Sequence, residues 1–309
     1  MRSLYVIAGP TAVGKSASSV ILARGTDSVI VSADAYQCYR RMDIGTAKST
    51  LNEMGGVPHY MIDVYEPTES IRVSRYASDA SGILGSLGEE GRAVIVGGSG
   101  LYIDSIVFSS YSFEGGEPDE AYRDKLREYA AQEGNERLWE RLKEADPEYA
   151  ALTHPNNVKR VIRALEYHHS TGEKMSCRKK ERVFRYPGTR YFVLDLDRQY
   201  LYPRIDERVD RMLSSGLVEE VRTVYEYCGY DRSLPSLKAI GYSEIIAYLE
   251  GETSLDYAVE LVKQHSRNYA KRQYTWFRSD PLCEWITLTP DMGAQDIAEL
   301  ITERIKSNV

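Results

Sequence analysis

A short apolar run that ends in a glycine-rich loop constrains the fold more than any other feature. Residues 4–8 read Leu-Tyr-Val-Ile-Ala, and residues 9–16 match the pattern GxxxxGK[ST]. The apolar spacing of residues 16–24 predicts a helix directly after the loop. A strand, such a loop and a helix form a phosphate-binding unit, in which backbone N–H groups and a lysine hold an anion. The motif therefore predicts an α/β fold built on a parallel sheet.

The remaining strands and helices are predicted from the spacing of apolar residues. Short apolar runs typical of buried strands cover residues 28–32, 93–96, 191–196 and 283–288. Helical spacing predicts helices over 74–87 and 256–278. Pro203 is expected in the first turn of another helix, and Gly216 at its end. We predict a P-loop NTPase-like parallel sheet with flanking helices.

A charge-rich segment interrupts this α/β pattern. Residues 114–187 have helical apolar spacing, first through Tyr122 and Leu126 and later through Val161 and Leu165. A chain of 309 residues has room for two domains. We therefore predict a catalytic core made of residues 1–113 and 188–309, with an inserted helical domain at 114–187.

The charge distribution favours a polyanionic partner, although the net charge is −7. Residues 114–148 have twelve acids and six bases, whereas residues 154–190 have ten bases and three acids. Residues 263–278 add five bases and no acid. A basic run alone is often only a solvated helix face, but two such tracts in an acidic protein indicate contact with phosphates.

Composition excludes several classes of protein. The chain is 42% hydrophobic and 28% charged, as in ordinary globular proteins. No apolar run approaches the roughly 20 residues of a membrane span, and no signal peptide is recognised, so we expect a cytoplasmic protein. The four cysteines are far apart and lack CxxC spacing, which argues against a zinc site or a disulfide framework.

The loop and one acid define the predicted chemistry. Lys15 supplies positive charge to a bound phosphate, and the Ser16 hydroxyl is a candidate Mg²⁺ ligand. Asp34 follows the second strand and is expected at the carboxyl edge of the sheet, where α/β folds place ligands. The residues alone leave three roles for Asp34: a helix N-cap, a Mg²⁺ ligand or a catalytic group. The strand at 93–96 ends in glycines, without the acid that a phosphoryl-transferring enzyme uses there.

Beyond the loop, several motifs resemble the bacterial tRNA dimethylallyltransferase family over nearly the whole chain. They are GPTxxGKS at 9–16, DAYQ at 34–37, MDIGTAK at 42–48, GGSGLY at 97–102, HPNN at 154–157, GLVEEVR at 216–222, and KRQ and TWFR between 271 and 278. The MDIGTAK, KRQ and TWFR motifs are more specific to this family than the phosphate loop is.

The resemblance implies prenyl transfer from dimethylallyl diphosphate to N6 of adenosine 37 in tRNAs that read codons beginning with U. It implies binding of the tRNA anticodon arm. We also expect a monomer that uses Mg²⁺, because hard phosphate oxygens suit this ion. The implied catalytic residues are Asp34, Lys15, Ser99 and Arg222. Asp34 would remove a proton from the weakly nucleophilic amine, and Arg222 would stabilise the leaving diphosphate. The implied diphosphate site comprises Gly9, Pro10, Thr11, Ala12, Val13, Gly14, Lys15, Ser16 and Arg222.

The resemblance also implies a tRNA interface. Its residues are Asp34, Ala35, Tyr36, Gln37, Ser99, Arg123, Lys159, Arg160, Val161, Ile162, Arg163, Lys238, Ala239, Ile240, Gly241, Tyr242, Ser243, Lys271, Arg272, Gln273 and Arg278. Three positions depart from the usual family residues, since Ala35 replaces Ser, Ser99 replaces Thr and Ser243 replaces Arg. From these departures we expect weaker tRNA contact and an altered range of tRNA substrates.

Three alternatives stay open at this level. An adenylate isopentenyltransferase would use the same diphosphate site on a free nucleotide, but would not need the basic tract at 154–190. A P-loop kinase would need ATP and an acid after residue 96. A nucleotide-gated RNA-binding module would tolerate loss of Asp34.

Overall fold

The computed structural model describes residues 3–110, 119–177 and 182–307, and within these ranges the sheet has six strands. The strands are β1 (Ser3–Ala8), β2 (Val29–Ser32), β3 (His59–Tyr60), β4 (Arg92–Gly97), β5 (Arg190–Asp195) and β6 (Glu284–Thr287). All neighbouring pairs are parallel, in the order β3-β2-β4-β1-β5-β6. The carboxyl ends of β1, β2 and β4 therefore lie side by side at one edge.

The described part of the chain forms two compact units, Met1–Val107 with Phe184–Val309, and Phe108–Val183. Helices of the first unit are α1 (Lys15–Thr26), α2 (Leu51–Met54), α3 (Val73–Ser86), α4 (Gly100–Val107), α9 (Arg198–Ser214), α10 (Leu217–Tyr227), α11 (Tyr242–Leu249), α12 (Leu255–Arg278) and α13 (Ala294–Lys306). Helices of the second unit are α5 (Glu120–Glu133), α6 (Asn135–Ala145), α7 (Pro147–Ala151) and α8 (Val158–Thr171). Short 3₁₀ helices lie at Met175–Cys177 and Ser236–Lys238.

The core of the first unit forms where helices cover the sheet. Ile7, Val94 and Phe192 of the strands pack with Leu22 of α1 and Ile297 of α13. These side chains are at most 2% exposed. Their burial removes apolar surface from water and holds α1 against the sheet. The loop that precedes α1 is consequently fixed at both ends.

The second unit has a separate core. Leu126 of α5, Leu138 and Leu142 of α6, and Val161 and Leu165 of α8 pack together. The apolar residues of α8 recur at helical spacing, so one face is buried and the other is left to polar side chains. This unit is therefore a small helical domain in its own right.

The predicted fold class is confirmed, with two local corrections. The five predicted strands are present within one or two residues, and β3 was missed because a two-residue strand carries no detectable alternation. Pro203 lies in the interior of α9, because the helix begins at Arg198 after Asp197, whose side chain accepts the N–H of Gln199. Gly216 follows the helix end in a left-handed conformation, as expected.

The boundaries of the inserted unit differ from the predicted 114 and 187. Residue 114 lies outside the described residues. At the other end, residues 184–187 belong to the first unit, where the Arg185 N–H donates to the Val107 carbonyl at 2.7 Å. The compact helical unit is Phe108–Val183. In the described ranges, no helix is both long and apolar enough to cross a membrane.

Candidate active site

The glycine loop between β1 and α1 has a backbone that only glycine adopts easily at two positions. Gly9 has φ of +142° and Gly14 has φ of +104°. A Cβ atom on Gly9 would lie 2.8 Å from the carbonyl oxygen of Leu194 on β5. Lys15 follows Gly14 as the first residue of α1, and its Nζ donates to the Pro10 carbonyl at 2.5 Å. The lysine side chain thus bends back over the loop.

Asp34 follows β2 at the same edge of the sheet. One carboxylate oxygen, Oδ1, accepts the backbone N–H groups of Tyr36 at 2.9 Å and Gln37 at 3.3 Å. These bonds fix the turn after β2, in the manner of an N-cap. Among the described residues, none forms a hydrogen bond with the second oxygen, Oδ2. That oxygen is available to a ligand.

Two cavities open beside Asp34, both within the first unit. We call the first, of about 70 Å³, the loop cavity. It is lined by Thr11, Lys15, Ser16, Asp34, Gln37, Val96, Gly97, Gly98, Arg208, Tyr269 and Gln273. We call the second, of about 250 Å³, the wide cavity. It is lined by Thr11, Asp34, Tyr36, Gly45, Thr46, Ile205, Arg208, Val209, Met212, Lys238, Ala239, Ile240, Val262, Ser266, Tyr269 and Arg272.

Four residues line both cavities and so mark the place where they adjoin. These are Thr11, Asp34, Arg208 and Tyr269. The loop cavity is lined mainly by polar and charged side chains, whereas one wall of the wide cavity is aliphatic. Such a pair suits a ligand with an anionic end and an apolar end.

Two cations and one carboxylate determine the electrostatics at this place. Burial, together with the charge of Arg208, lowers the pKa of Lys15 to about 7, although the charge of Asp34 opposes both effects. Burial also lowers the pKa of Arg208, an effect that Asp34 again opposes. Two desolvated cations beside a single acid form a binding site for an anion. A bound anion would favour the charged forms of Lys15 and Arg208, which burial disfavours.

Arg208, and not Arg222, is the arginine that faces the glycine loop. Arg222 lies on α10, where its side chain is 54% exposed and pairs with Glu219 at 3.4 Å. It lines a separate shallow depression with Tyr225 and Glu226. The prediction that Arg222 stabilises the diphosphate is therefore corrected. Arg208 occupies the place at the loop because α9 runs past it.

Arg208 and Tyr269 were missed in the sequence, although weak signals existed. Arg208 lies three residues after Ile205 and directly before Val209, in the buried stripe of α9. An arginine inside an apolar stripe is unusual and indicates a buried function. Tyr269 lies four residues before Gln273 on α12, so both side chains emerge on the same face.

Ser99 is held between the turn after β2 and α12. Its hydroxyl accepts the Ala35 N–H at 3.4 Å and lies 3.2 Å from the Tyr269 hydroxyl. Burial raises the pKa of Tyr269, so this phenol remains protonated. Ser99 is adjacent to the cavities through Tyr269 and lines neither of them in the described residues.

Two glutamines predicted to contact tRNA are engaged inside the fold. Gln37 accepts the Ser32 hydroxyl at 2.9 Å and donates to the Thr46 carbonyl at 3.3 Å. Gln273, which is 4% exposed, accepts the Thr11 N–H at 3.0 Å and donates to the Gly98 carbonyl at 2.9 Å. Gln273 is thus a clamp that joins the glycine loop to the turn after β4.

Comparison with known proteins places this arrangement in a family. Residues 37–280 match the sequence profile described as IPP transferase. The chain belongs to the IPP transferase family. It is 45% identical over 306 residues to the tRNA dimethylallyltransferase of Geobacillus thermodenitrificans, covering 97% of this chain and 95% of the relative. The corresponding protein of Lachnoclostridium phytofermentans is 44% identical over 312 residues, covering 99% of this chain and 97% of that protein.

Solved structures of the family have the same fold. The tRNA isopentenylpyrophosphate transferase of Bacillus halodurans matches with a TM-score of 0.71 and 38% identity, covering 99% of this chain and 97% of that one. A eukaryotic dimethylallyltransferase acting on tRNA matches with a TM-score of 0.84 and 25% identity, covering all of this chain and 80% of that one. This member of the IPP transferase family is therefore a prenyltransferase.

The predicted tRNA residues of the first unit separate into two groups in this IPP transferase. Lys238, Ala239, Ile240 and Arg272 line the wide cavity, whereas Lys271 and Arg278 are exposed. The other group is engaged inside the fold. Gly241 is buried, Tyr242 is fully buried with its hydroxyl on Glu220, and the Ser243 hydroxyl donates to Glu244. The side chain of Tyr242 therefore has no surface to offer to RNA.

In the second unit, the basic surface is smaller than predicted. Val161 and Ile162, which were predicted to contact tRNA, belong to the core and are 0% and 6% exposed, so their side chains face away from solvent. Arg123 bonds to Glu166, a buried acid, at 2.8 Å. Arg163 is exposed but also pairs with Glu166.

Lys159 and Arg160 of α8 are exposed. Arg160 lies over the ring of Tyr149, with its guanidinium carbon 5.2 Å from the ring centre. These two bases remain available to RNA. Residues 178–181, which supply three of the predicted bases, lie outside the described residues.

The groups around the loop cavity fit Mg²⁺. Ser16 lines this cavity and offers a hydroxyl oxygen, while the carboxylate of Asp34 in the same cavity adds negative charge nearby. Magnesium prefers oxygen ligands and is commonly held by one or two carboxylates together with substrate phosphates. Within the described residues, no group of three His, Cys, Asp or Glu side chains could hold a metal unaided. Such a metal would therefore arrive with its phosphate ligand.

Proposed function

We propose that this transferase moves the dimethylallyl group of dimethylallyl diphosphate to N6 of adenosine 37 in the anticodon loop of tRNA, with release of diphosphate. The acceptors are tRNAs that read codons beginning with U. Full-length relatives with 45% and 44% identity named tRNA dimethylallyltransferase support this assignment.

The observation that carries the proposal is the meeting of two unlike cavities at Asp34. The loop cavity offers Lys15, Ser16 and backbone to a diphosphate. The wide cavity has room for an extruded purine and a short apolar chain. A base must leave the stack before its exocyclic amine can react. The acceptor amine and the allylic carbon then meet beside the carboxylate.

The reaction is a displacement at the allylic carbon. The bond between this carbon and the bridging oxygen breaks, and its electron pair leaves with diphosphate. The bond between N6 and carbon forms while the amine proton moves to Asp34 Oδ2. The negative charge on the diphosphate increases from the ground state to the transition state. Lys15 and Arg208 stabilise this charge and so lower the barrier.

A bound Mg²⁺ would further neutralise the charge of the leaving diphosphate. Ser16 would hold the ion together with the diphosphate oxygens. Lys15, bent back to the Pro10 carbonyl, would exchange that contact for a phosphate oxygen. Its protonated form is then favoured, because an anion replaces a neutral carbonyl.

Several groups of the wide cavity suit an RNA loop. Tyr36 offers a ring on which a base can stack, and Lys238 and Arg272 offer positive charge for the adjoining phosphates. We further propose that the enzyme works as a cytoplasmic monomer, which sedimentation at working concentration and cell fractionation test.

Mass analysis of anticodon-arm nucleosides tests the proposed reaction. Unmodified tRNA is incubated with Mg²⁺ and either dimethylallyl diphosphate or ATP, and free AMP replaces tRNA in a parallel sample. We expect a five-carbon substituent on adenosine 37 of the tRNA in the sample with dimethylallyl diphosphate, and none in the sample with ATP. Phosphate transfer from ATP, or prenylation of AMP in preference to tRNA, would contradict the proposal.

The Asp34→Asn variant distinguishes the role of Asp34 as a base from its role in supporting the turn after β2. Asparagine keeps an oxygen for the N–H groups of Tyr36 and Gln37 but is not basic. We expect turnover to fall by about 10²- to 10⁴-fold, the usual contribution of general acid–base catalysis, with tRNA affinity largely unchanged. Turnover at the wild-type rate would remove Asp34 from the chemistry.

A further inference from the structure

One carboxylate of α10 receives hydrogen bonds from three successive backbone N–H groups. Glu220 Oε2 accepts the N–H of Asp43 at 2.9 Å and that of Ile44 at 2.7 Å, and Oε1 accepts the N–H of Gly45 at 2.8 Å. The Tyr242 hydroxyl donates to Oε1 at 2.5 Å. Successive N–H groups that converge in this way form an anion-binding nest, and bonds to a charged acceptor are the stronger class.

The loop held by Glu220 comprises residues 42–48 and is also braced internally. The Thr46 hydroxyl donates to the Met42 carbonyl at 2.6 Å. Lys48 Nζ, in a side chain that is 5% exposed, bonds to Asp43 at 2.6 Å. The 42–48 loop is therefore a compact body, and Glu220 attaches it to α10.

This loop forms part of the wall on the acceptor side. Gly45 and Thr46 line the wide cavity together with Asp34. The Gln37 side chain, which lines the loop cavity, donates to the carbonyls of Thr46 and Ala47 at 3.3 Å each. A displacement of the 42–48 loop would thus move one cavity wall and release Gln37 at the same time.

Close packing at Gly45 places the loop directly against Tyr242 and Leu217. A Cβ atom on Gly45 would lie 2.5 Å from Cε2 of Tyr242 and 3.0 Å from Cδ1 of Leu217. Burial raises the pKa of Tyr242, and the charge of Glu220 adds to this effect. The phenol consequently stays a donor to Glu220.

We propose that Glu220 is a positioning residue for the tRNA side of the active site. It acts through the 42–48 loop and Gln37 without touching either substrate. The inference rests on the proposed function, since it assigns the wide cavity to the acceptor. It predicts that loss of the carboxylate impairs use of tRNA more strongly than use of the donor, because the 42–48 loop lines the wide cavity directly and reaches the loop cavity only through Gln37.

Steady-state kinetics of Glu220→Gln test the inference, with Glu219→Gln as the matched control. Glutamine keeps the size of the side chain but turns an NH₂ group toward N–H donors. We expect kcat/KM for tRNA to fall about 10- to 100-fold, as for a catalytic site displaced by about 1 Å. KM for dimethylallyl diphosphate should stay within about twofold of wild type. Glu219 is 74% exposed in its side chain, so its variant should match wild type.

A merely structural role predicts a different pattern. Lower folded yield would reduce kcat for both substrates and leave both KM values unchanged. That pattern, or wild-type kinetics in Glu220→Gln, would overturn the inference. Should Glu220→Gln fail to fold, Tyr242→Phe tests the inference instead, because it removes the hydrogen bond to Glu220 and keeps the ring. A rise of about threefold in KM for tRNA supports the inference, and no change overturns it.

Hydrogen exchange gives a readout that does not depend on activity. In Glu220→Gln, the amides of Asp43, Ile44 and Gly45 should exchange at least about tenfold faster than in wild type, while those of α1 should not change. Unchanged exchange at the three amides would overturn the inference. Failure of the wild-type enzyme to prenylate tRNA would instead refute the proposed function. The failure of the inference and the failure of the proposed function are therefore distinguishable.

Discussion

The loop cavity and the wide cavity adjoin at Asp34, yet the chain builds them in different ways. The loop cavity is formed mainly by residues 9–16 and by the ends of β2 and β4, whose positions follow from the parallel sheet. The wide cavity takes its wall from α9, α12, the 3₁₀ segment near Lys238 and the 42–48 loop. The donor side therefore depends on a local motif, and the acceptor side on tertiary packing.

Replacement of Arg208, which lines both cavities, has the largest expected effect. We expect Arg208→Gln to lower kcat/KM about 10²- to 10³-fold, the usual cost of removing one group that stabilises transition-state charge. Arg222→Gln should remain within about twofold of wild type, since Arg222 is half exposed and pairs with Glu219. Steady-state prenylation assays measure both variants. A larger loss in Arg222→Gln than in Arg208→Gln would restore the assignment made from the sequence.

The pH dependence of donor binding probes the loop cavity alone. Burial lowers the pKa of Lys15 to about 7, so the lysine loses its proton as the pH rises through this value in the free enzyme. The protonated form binds the anion. We therefore expect donor kcat/KM to fall above about pH 7, approaching tenfold per pH unit.

Lys15→Arg is the control for this pH effect, because arginine keeps its charge at every working pH. Its weaker activity should lack the fall above about pH 7. Ionisation of the diphosphate itself affects both enzymes equally. A break that persists in Lys15→Arg would assign the titration to another group.

Replacement of Gln273 asks whether this residue is a clamp or a tRNA contact. Gln273→Met leaves the Thr11 N–H and the Gly98 carbonyl without partners, which costs about 2–4 kcal/mol of folding free energy. We expect Tm to fall by about 5–10 °C and donor kcat/KM by about tenfold. Calorimetry and kinetics measure these changes. Weakened tRNA binding with an unchanged Tm would favour the original tRNA assignment.

Lys238→Gln gives the smallest expected change and probes the wide cavity. Lys238 is exposed at the rim, so its charge acts through solvent. We expect tRNA affinity to fall about threefold, with a decrease of about one in the slope of log affinity against log salt concentration. Filter binding at several salt concentrations measures both quantities. A change in donor KM instead would break the division between the cavities.

The difference between the cavities also explains which site residues the sequence revealed. Lys15 and Ser16 were found from the spacing of the glycine loop, and Asp34 was found because it directly follows the second predicted strand. Arg208 was missed because α9 brings it to the loop from nearly 200 residues further along the chain. The internal hydrogen bonds of Gln37 and Gln273 were not predicted, since partners such as Gly98 cannot be read from spacing.

The helical unit shows the same limit in another form. Its helices were predicted from apolar spacing, but α8 carries buried and exposed residues in alternation along one short segment. Val161 and Ile162 face the core, while Lys159 and Arg160 face solvent. Glu166, which is 2% exposed, also engages Arg123, a residue that the sequence alone left free for RNA.

The sequence by itself determined the parallel α/β core, the glycine loop and the acid that follows β2. These features depend on apolar periodicity and on backbone geometry, both of which act over a few residues. Tertiary structure decided which arginine meets the loop, which side chains are buried, and how Glu220 holds the 42–48 loop. Those outcomes depend on contacts between distant segments, whose packing no local pattern encodes.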